Sequence, residues 1–318
     1  MNERASRSRA GAGAGAGAGD GAGDGAGAGV AAVIGASLFW SFGGVLGKSA
    51  GVGGVVLSFW RLWIASGVLT VVVAVTRRWP SRSDFKASLI SGVLFGLNLC
   101  IFFITLQYTS VAVALIIGAL TPVVTFPIAV RYMGEHLTRV KVACSVLAIA
   151  GVTVAVLTAP SVDGTGTKAV GYLWAVASLL VWSLYLLQTK RVREHVETVR
   201  YMFSVCIVAT VTVSLAVLVL RSDVGSVQGA GWLWIALLAI GPGIAGHGLV
   251  AWAQPRVDAS VTSLLIQFEP VGASIVAWLV LDERVSLAQG IAMMVVVAAL
   301  GVLAYRESRA VVFDELVG

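Results

Sequence analysis

Residues 111–135 read VAVALIIGALTPVVTFPIAVRYMGE, and residues 259–283 read ASVTSLLIQFEPVGASIVAWLVLDE. Each stretch is mainly apolar, carries a proline near its centre (Pro122 or Pro270), and reaches a glutamate thirteen residues after that proline. An apolar run of about 20 residues crosses the hydrocarbon core of a bilayer as a helix. The two stretches are therefore predicted to be membrane-spanning helices and copies of one another.

The composition of the whole chain agrees with a membrane protein. Of its 318 residues, 58% are hydrophobic and 12% are charged, and the mean hydropathy is +0.92. Soluble domains carry about 25% charged residues, so this supply cannot cover a water-facing surface. The fold class predicted is an all-α integral membrane protein, with the lipid bilayer as its main solvent.

Ten segments are long and apolar enough to cross the membrane, and their short connections leave no room for a soluble domain. They are Val30–Lys48, Val55–Thr76, Ala87–Leu106, Val111–Val130, Val140–Ala159, Gly171–Gln188, Tyr201–Leu220, Trp232–Ala253, Ser260–Leu281 and Ala288–Tyr305.

Lysine and arginine fall unevenly between alternate connections. With the amino terminus in the cytoplasm, 17 of the 22 basic residues face the cytoplasm and four face outward, while Arg61 lies within the second segment. Cytoplasmic loops are enriched in Lys and Arg, so the pattern predicts a multi-pass protein of the cell (plasma) membrane with both termini cytoplasmic. The net charge of +6 then reflects orientation, and no nucleic-acid partner is expected.

A second motif recurs besides the proline helix. A Trp-Ser pair begins at Trp40 and at Trp182, each followed by a lysine eight residues after the Trp. The copies are 142 residues apart here and 148 residues apart at the proline helices. Since each copy holds five helices, the second must enter the membrane inverted, a recurring plan among secondary transporters.

The duplication predicts the organisation of the chain. A Gly-rich chain cannot repay its ordering entropy, so the amino-terminal stretch is predicted to be disordered. The parts are a Gly/Ala-rich cytoplasmic tail at 1–29, a first five-helix repeat at 30–160, a second at 165–307 and a short cytoplasmic tail at 308–318.

In the order and spacing of these motifs the sequence resembles the drug/metabolite transporter superfamily, specifically its ten-helix members with two EamA-type repeats. The resemblance covers roughly residues 30–307 and is clearest over Tyr108–Gly151. One departure is Asp282-Glu283, where the family usually has Gly-Glu. The resemblance implies an exporter of amino acids and related metabolites, or of drugs, without selecting the substrate.

Two ionisable residues within apolar segments are candidates for the substrate or proton pathway. Ionised Glu269 would cost at least ~2.5–3.5 kcal/mol at the membrane centre. It is therefore either a proton-coupling or substrate-amine site, or a protonated group bonded to carbonyls freed by Pro270. His247, between two glycines, either shuttles protons or donates one bond to a helix carbonyl. The two side chains are expected at a similar depth.

Other candidates are weaker. Arg61 either snorkels to the outer interface or binds a substrate carboxylate. The remaining pathway candidates are Trp40, Asn98, Gln267 and Trp252.

Three prolines, Pro122, Pro270 and Pro242, are expected in mid-helix. There they either form static kinks or mark the site and its gates.

Further features are expected to be structural. The pairs Gly43–Gly47 and Gly92–Gly96 allow close helix contacts, here within the chain. Glu135 and Glu283 are expected to be solvated and paired with nearby arginines. All three cysteines are expected to be packing residues, and no metal site or cofactor is predicted.

Several functions remain open. No phosphate-binding loop for ATP is present, so the energy for transport must come from a gradient or from the substrate itself, with protons as a candidate coupling ion. The leading prediction is a secondary exporter of amino acids or similar small polar metabolites, acting as a monomer or homodimer. A drug-efflux pump is the alternative, and an intramembrane enzyme is a distant third.

Overall fold

The computed structural model describes residues 19–108, 111–158, 169–281 and 286–314. Over these ranges the chain is helical and contains no strand, as predicted. The first half has seven helices: α1 (Gly19–Ser41), α2 (Gly43–Ser49), α3 (Gly54–Thr76), α4 (Arg82–Tyr108), α5 (Val111–Gly118), α6 (Thr121–Met133) and α7 (Arg139–Leu157).

The second half repeats this order. The eighth predicted segment of the chain, Trp232–Ala253, is divided there into three elements. The elements of the second half are α8 (Ala169–Arg193), α9 (Thr198–Leu220), a short 3-10 turn (Val224–Ser226), α10 (Gly231–Leu238), a π-helical stretch (Ala239–Gly246), α11 (His247–Ala253), α12 (Ala259–Leu265), α13 (Phe268–Leu281) and α14 (Leu287–Asp314).

Nine helical segments of the described ranges are long and apolar enough to cross a membrane. The predicted segment outside this set, Val140–Ala159, corresponds to α7, which has 19 residues. At 1.5 Å per residue such a helix is about 29 Å long, close to the ~30 Å of the hydrocarbon core. Its length therefore agrees with the predicted ten crossings.

The predicted tail boundaries differ from the helices observed. Helix α1 begins at Gly19, eleven residues before the predicted start at Val30. Ala26 is buried, and a Cβ on Gly29 would come within 2.5 Å of the Val257 side chain, so this segment packs against the second half. Helix α14 continues to Asp314, whereas the predicted final tail starts at 308. Residues 1–18 and 315–318 lie outside the described part.

The prolines Pro122 and Pro270 do not stand in the middle of continuous helices, as the sequence had led us to expect. Each lies in the first turn of a new helix, α6 or α13. The chain leaves regular helix just before, between Gly118 and Thr121 and between Leu265 and Phe268. Proline fits a first helical turn because its missing N–H has no intrahelical partner there. The fourth and ninth segments are therefore each broken just before Pro122 or Pro270.

Helices from the two halves interlock at close-packed glycines. A Cβ on Gly92 or Gly96 would lie 2.5 Å from the Val208 Cβ or 2.7 Å from the Thr212 Cβ. These glycines of α4 thus allow close approach to α9, which agrees with the predicted intramolecular packing. Gly43, in contrast, has no such neighbour within 4 Å.

The outer surface of the helix bundle is apolar. Leu218 and Val219 of α9 are 72% and 80% exposed, and Leu279 of α13 is 67% exposed. Contiguous apolar surface of this kind is stable when lipid covers it, so the exposed side chains support the membrane assignment.

Candidate functional site

A small cavity of about 20 Å³, enough for about one water molecule, lies inside the bundle. Helices α3 and α4 from the first half and α8, α9, the π-helical stretch and the start of α11 from the second half line it. Its polar lining comes from Arg61, Tyr185 and His247, and its apolar walls include Leu62, Phe95 and Met202. Both halves of the chain therefore contribute to one site.

Arg61 lines this cavity. Its Nη2 atom lies 3.9 Å from the position that a Cβ on Gly243 would occupy. None of the ion pairs between described residues involves Arg61. The guanidinium is thus a positive charge facing mainly apolar walls, and this position favours the carboxylate-binding alternative over snorkelling.

His247, the first residue of α11, is surrounded by aromatic rings. Its ring centre lies 4.6 Å from that of Phe95, 4.8 Å from Trp40 and 6.3 Å from Tyr185. The side chain is 7% exposed, and no described hydrogen bond joins its imidazole to a helix carbonyl. This geometry leaves the ring nitrogens available to a bound solute.

Trp40 packs against His247 and lies outside the cavity lining. Its Nε1–H donates to the Pro242 carbonyl at 3.0 Å, within the π-helical stretch. A Cβ on Gly246 would lie 2.5 Å from the same Nε1 atom, so glycine permits this approach. Through this hydrogen bond, Trp40 stabilises the irregular backbone that carries Gly243 into the cavity wall. Such π-helical turns often occur at functional sites.

Glu269, the second residue of α13, is separate from the cavity. The Ser41 hydroxyl donates to its backbone carbonyl at 3.3 Å, because α13 packs against α1. The described residues provide no hydrogen bond to its carboxylate. Ser41 follows Trp40, whose ring centre lies 4.8 Å from that of His247, and the predicted similar depth of Glu269 and His247 stays a prediction.

Gln267 connects the two broken helices. Its Nε2–H donates at 2.6 Å to the carbonyl of Ala119, exactly one repeat offset of 148 residues earlier. Two residues related by the duplication therefore meet where both helices break, which is expected at the pseudo-twofold axis of an inverted repeat. Gln267 is buried at this contact and does not line the cavity.

The other two pathway candidates also have packing partners. Asn98 donates to the Ser178 carbonyl at 3.1 Å and joins α4 to α8. Trp252 lies under the guanidinium of Arg256, 3.8 Å from its ring centre. Neither lines the cavity, so these geometries favour helix packing and an interfacial anchor.

A second polar cluster, which the sequence analysis missed, joins the two halves away from the cavity. Glu135 is buried and accepts the backbone N–H groups of Ala259 at 2.6 Å and Ser260 at 3.0 Å. The expectation that Glu135 is solvated was wrong, because it caps the start of α12. Buried Lys141 pairs with Asp258 at 2.6 Å. The corresponding expectation for Glu283 lies outside the described residues.

Comparison with known proteins identifies the class of molecule to which this architecture belongs. The model of the EamA-like transporter family matches twice, over residues 27–157 and 169–305. A Bacillus subtilis protein named uncharacterized transporter YyaM is 26% identical over 70% of this chain and 75% of its own length. The uncharacterized inner membrane transporter YhbE of Escherichia coli is 25% identical over 67% of this chain and 68% of its own.

A solved structure shares the fold. A chain described only as the crystal structure of a protein superposes with a TM-score of 0.74, covering 87% of this chain and 98% of that one. Its sequence is 24% identical, so the likeness concerns the fold alone.

Proposed function

This chain belongs to the EamA-like transporter family, and we propose that it is a secondary transporter that exports small polar metabolites, such as amino acids, by alternating access. The observation that carries the proposal is the cavity to which both halves of the bundle contribute, with Arg61 and His247 among its lining. Substrate sites of inverted-repeat transporters lie at the interface between repeats. An ionisable side chain inside the membrane is a candidate for a functional site by default.

The contacts at the end that the charge pattern assigns to the cytoplasm fit alternating access. There Glu135 and Lys141 of the first half bond to the start of α12, and the Lys190 ammonium donates to the Val257 carbonyl at 2.7 Å. Opening the bundle towards the cytoplasm requires some of these bonds to break. They therefore serve as closing contacts on that side, with both termini cytoplasmic.

A pump for lipophilic cations fits the cavity less well. A cationic drug would meet the Arg61 guanidinium, and none of the described acidic side chains lines the cavity. Like charges repel strongly where apolar walls lower the local dielectric. A solute that is neutral or anionic at the end facing Arg61 is the better occupant.

The proposal is tested by flux in proteoliposomes containing the purified full chain. Counterflow of labelled amino acids, with and without an imposed pH gradient, measures transport and proton coupling together. The His247→Ala variant is expected to reduce flux at least tenfold, and His195→Ala, an exposed histidine, serves as its control. Transport with equal rates in both variants would remove His247 from the site, and absence of flux for every polar solute would contradict the proposed function.

Proton coupling is assigned to Glu269 as a separate proposal, since its carboxylate has no bonding partner among the described residues. The Glu269→Gln variant is expected to retain counterflow but lose acceleration by a pH gradient. The exposed Glu194→Gln is the matched control. Unchanged gradient dependence in Glu269→Gln would end this assignment.

A further inference from the structure

We infer that the cavity recognises small carboxylates with an apolar body, and that Arg61 is the group that binds the carboxylate. The inference rests on the proposed transport function and specifies the substrate class of the same site.

The positive charge of Arg61 lies in the wall of the cavity. Arg61 belongs to α3, whose neighbouring residues Leu62, Ala65 and Leu69 also line the cavity. The chain opposite is Gly243, where a side chain would stand 3.9 Å from the guanidinium. The planar fork of an arginine binds carboxylates in bidentate fashion.

The acidic residues near the membrane ends are engaged elsewhere. Five described acids bond to basic side chains or to backbone amides at the helix ends, and a sixth caps a turn. They are Asp84 with Arg200, Glu135 with α12, Glu197 with Arg78, Asp258 and Glu307 with Lys141, and Asp223 with Gly225. Glu269 lies outside the cavity lining. The described part of the chain thus supplies no carboxylate for Arg61.

The remaining lining selects an apolar body. Leu62, Leu69, Phe95 and Met202 form walls around the guanidinium, and these side chains offer no hydrogen bonds to a strongly hydrated solute. The cavity volume of about 20 Å³ is far below that of ligand pockets, which span about 300–1,000 Å³, so binding requires the surrounding helices to move apart. The occupant has one anionic end and an apolar body.

An arginine that binds substrate and an arginine that stabilises the fold differ in how their substitution changes the unfolding temperature. A charge without a protein partner opposes burial, and removing it relieves the unliganded protein. We expect unliganded Arg61→Met to unfold at a temperature equal to or above that of the parent. A large decrease would mean that the guanidinium has a structural role, and it would overturn the inference.

The binding test uses a matched set of probes on the purified full chain in detergent: 3-phenylpropionate, its neutral amide and phenethylammonium. Thermal stabilisation titrations are expected to give at least a tenfold lower Kd for the carboxylate than for either other probe. The preference should disappear in Arg61→Met and weaken in Arg61→Lys, which keeps the charge without the planar fork. The control Arg191→Gln removes an exposed arginine and should leave the preference intact.

The outcomes separate this inference from the transport function. Equal binding of the three probes to the parent, or a preference that survives in Arg61→Met, would overturn the carboxylate site even if counterflow of a polar solute is observed. A tenfold carboxylate preference that depends on Arg61, without counterflow of labelled 3-phenylpropionate in proteoliposomes, would uphold the site and contradict transport.

Discussion

Replacing Glu135 tests the contact that joins the first half of the chain to the start of α12. Two backbone N–H groups donate to its carboxylate, at 2.6 and 3.0 Å. Hydrogen bonds to charged groups contribute about 1.5–3 kcal/mol each to stability. Glutamine keeps one acceptor oxygen, so Glu135→Gln should lower the free energy of unfolding by about 2 kcal/mol. Glu135→Ala removes both bonds and should lower it by about 4 kcal/mol.

No local side chain can replace this cap. Asp258, the residue that precedes α12, makes no capping bond to the helix and pairs instead with Lys141. The first amides of α12 are therefore left without a partner when Glu135 is truncated, and unpaired buried amides are costly. This is why the alanine variant is expected to lose more than an ordinary cap, which contributes typically ~1 kcal/mol.

The assay is equilibrium unfolding of the purified protein in mixed micelles, followed by tryptophan fluorescence at increasing denaturing detergent. The control Glu194→Gln removes one exposed carboxylate and should unfold with the parent. The reasoning is refuted if Glu135→Ala unfolds with the parent, or if the glutamine and alanine variants lose the same stability. Equal losses would show that the two hydrogen bonds are not the source of the effect.

Three further substitutions probe other contacts. Gly92→Ala should lower the unfolding midpoint, since its Cβ would lie 2.5 Å from the Val208 Cβ; Gly67→Ala, in open space, should not. Trp40→Phe removes the bond to the Pro242 carbonyl and should weaken binding of any cavity probe several-fold while the helix content by circular dichroism stays constant. Lys141→Met should increase the labelling rate of buried Cys144 by a permeant maleimide in a background lacking the other two cysteines; an unchanged rate would contradict the role of Lys141 as a closing contact.

The sequence was sufficient for the helices because their signal is local. Apolar length and the basic connections predict each segment without reference to any other part of the chain. The recurrence of Pro122 at Pro270 also predicted correctly that the fourth and ninth segments are alike. It did not predict that both are broken, since a proline in an apolar run is equally compatible with a kink and with a first helical turn.

The polar contacts could not be predicted, because their partners are distant in the chain. Glu135 lies near Arg139 in sequence, which suggested a surface pair, but its observed partner Ala259 is 124 residues away. Arg61 posed the same problem: its depth within α3 permits both snorkelling and a cavity position, and only the irregular backbone at Gly243 distinguishes them. In both cases, residues distant in the sequence determine the surroundings of the side chain.

The two repeats place a charged residue and an apolar residue at equivalent positions of the cavity. Where α3 meets α9, the hydroxyls of Ser66 and Thr210 lie 2.8 Å apart and are separated by 144 residues, between the offsets of 142 and 148 seen at the Trp-Ser and proline helices. At the offset of 144, Arg61 corresponds to Val205, which lines the same cavity. The two crossing helices thus supply equivalent positions, one cationic and one apolar. A solute with a carboxylate at one end and an apolar body at the other matches that division, whereas a site with arginine at both positions would repel itself across the axis.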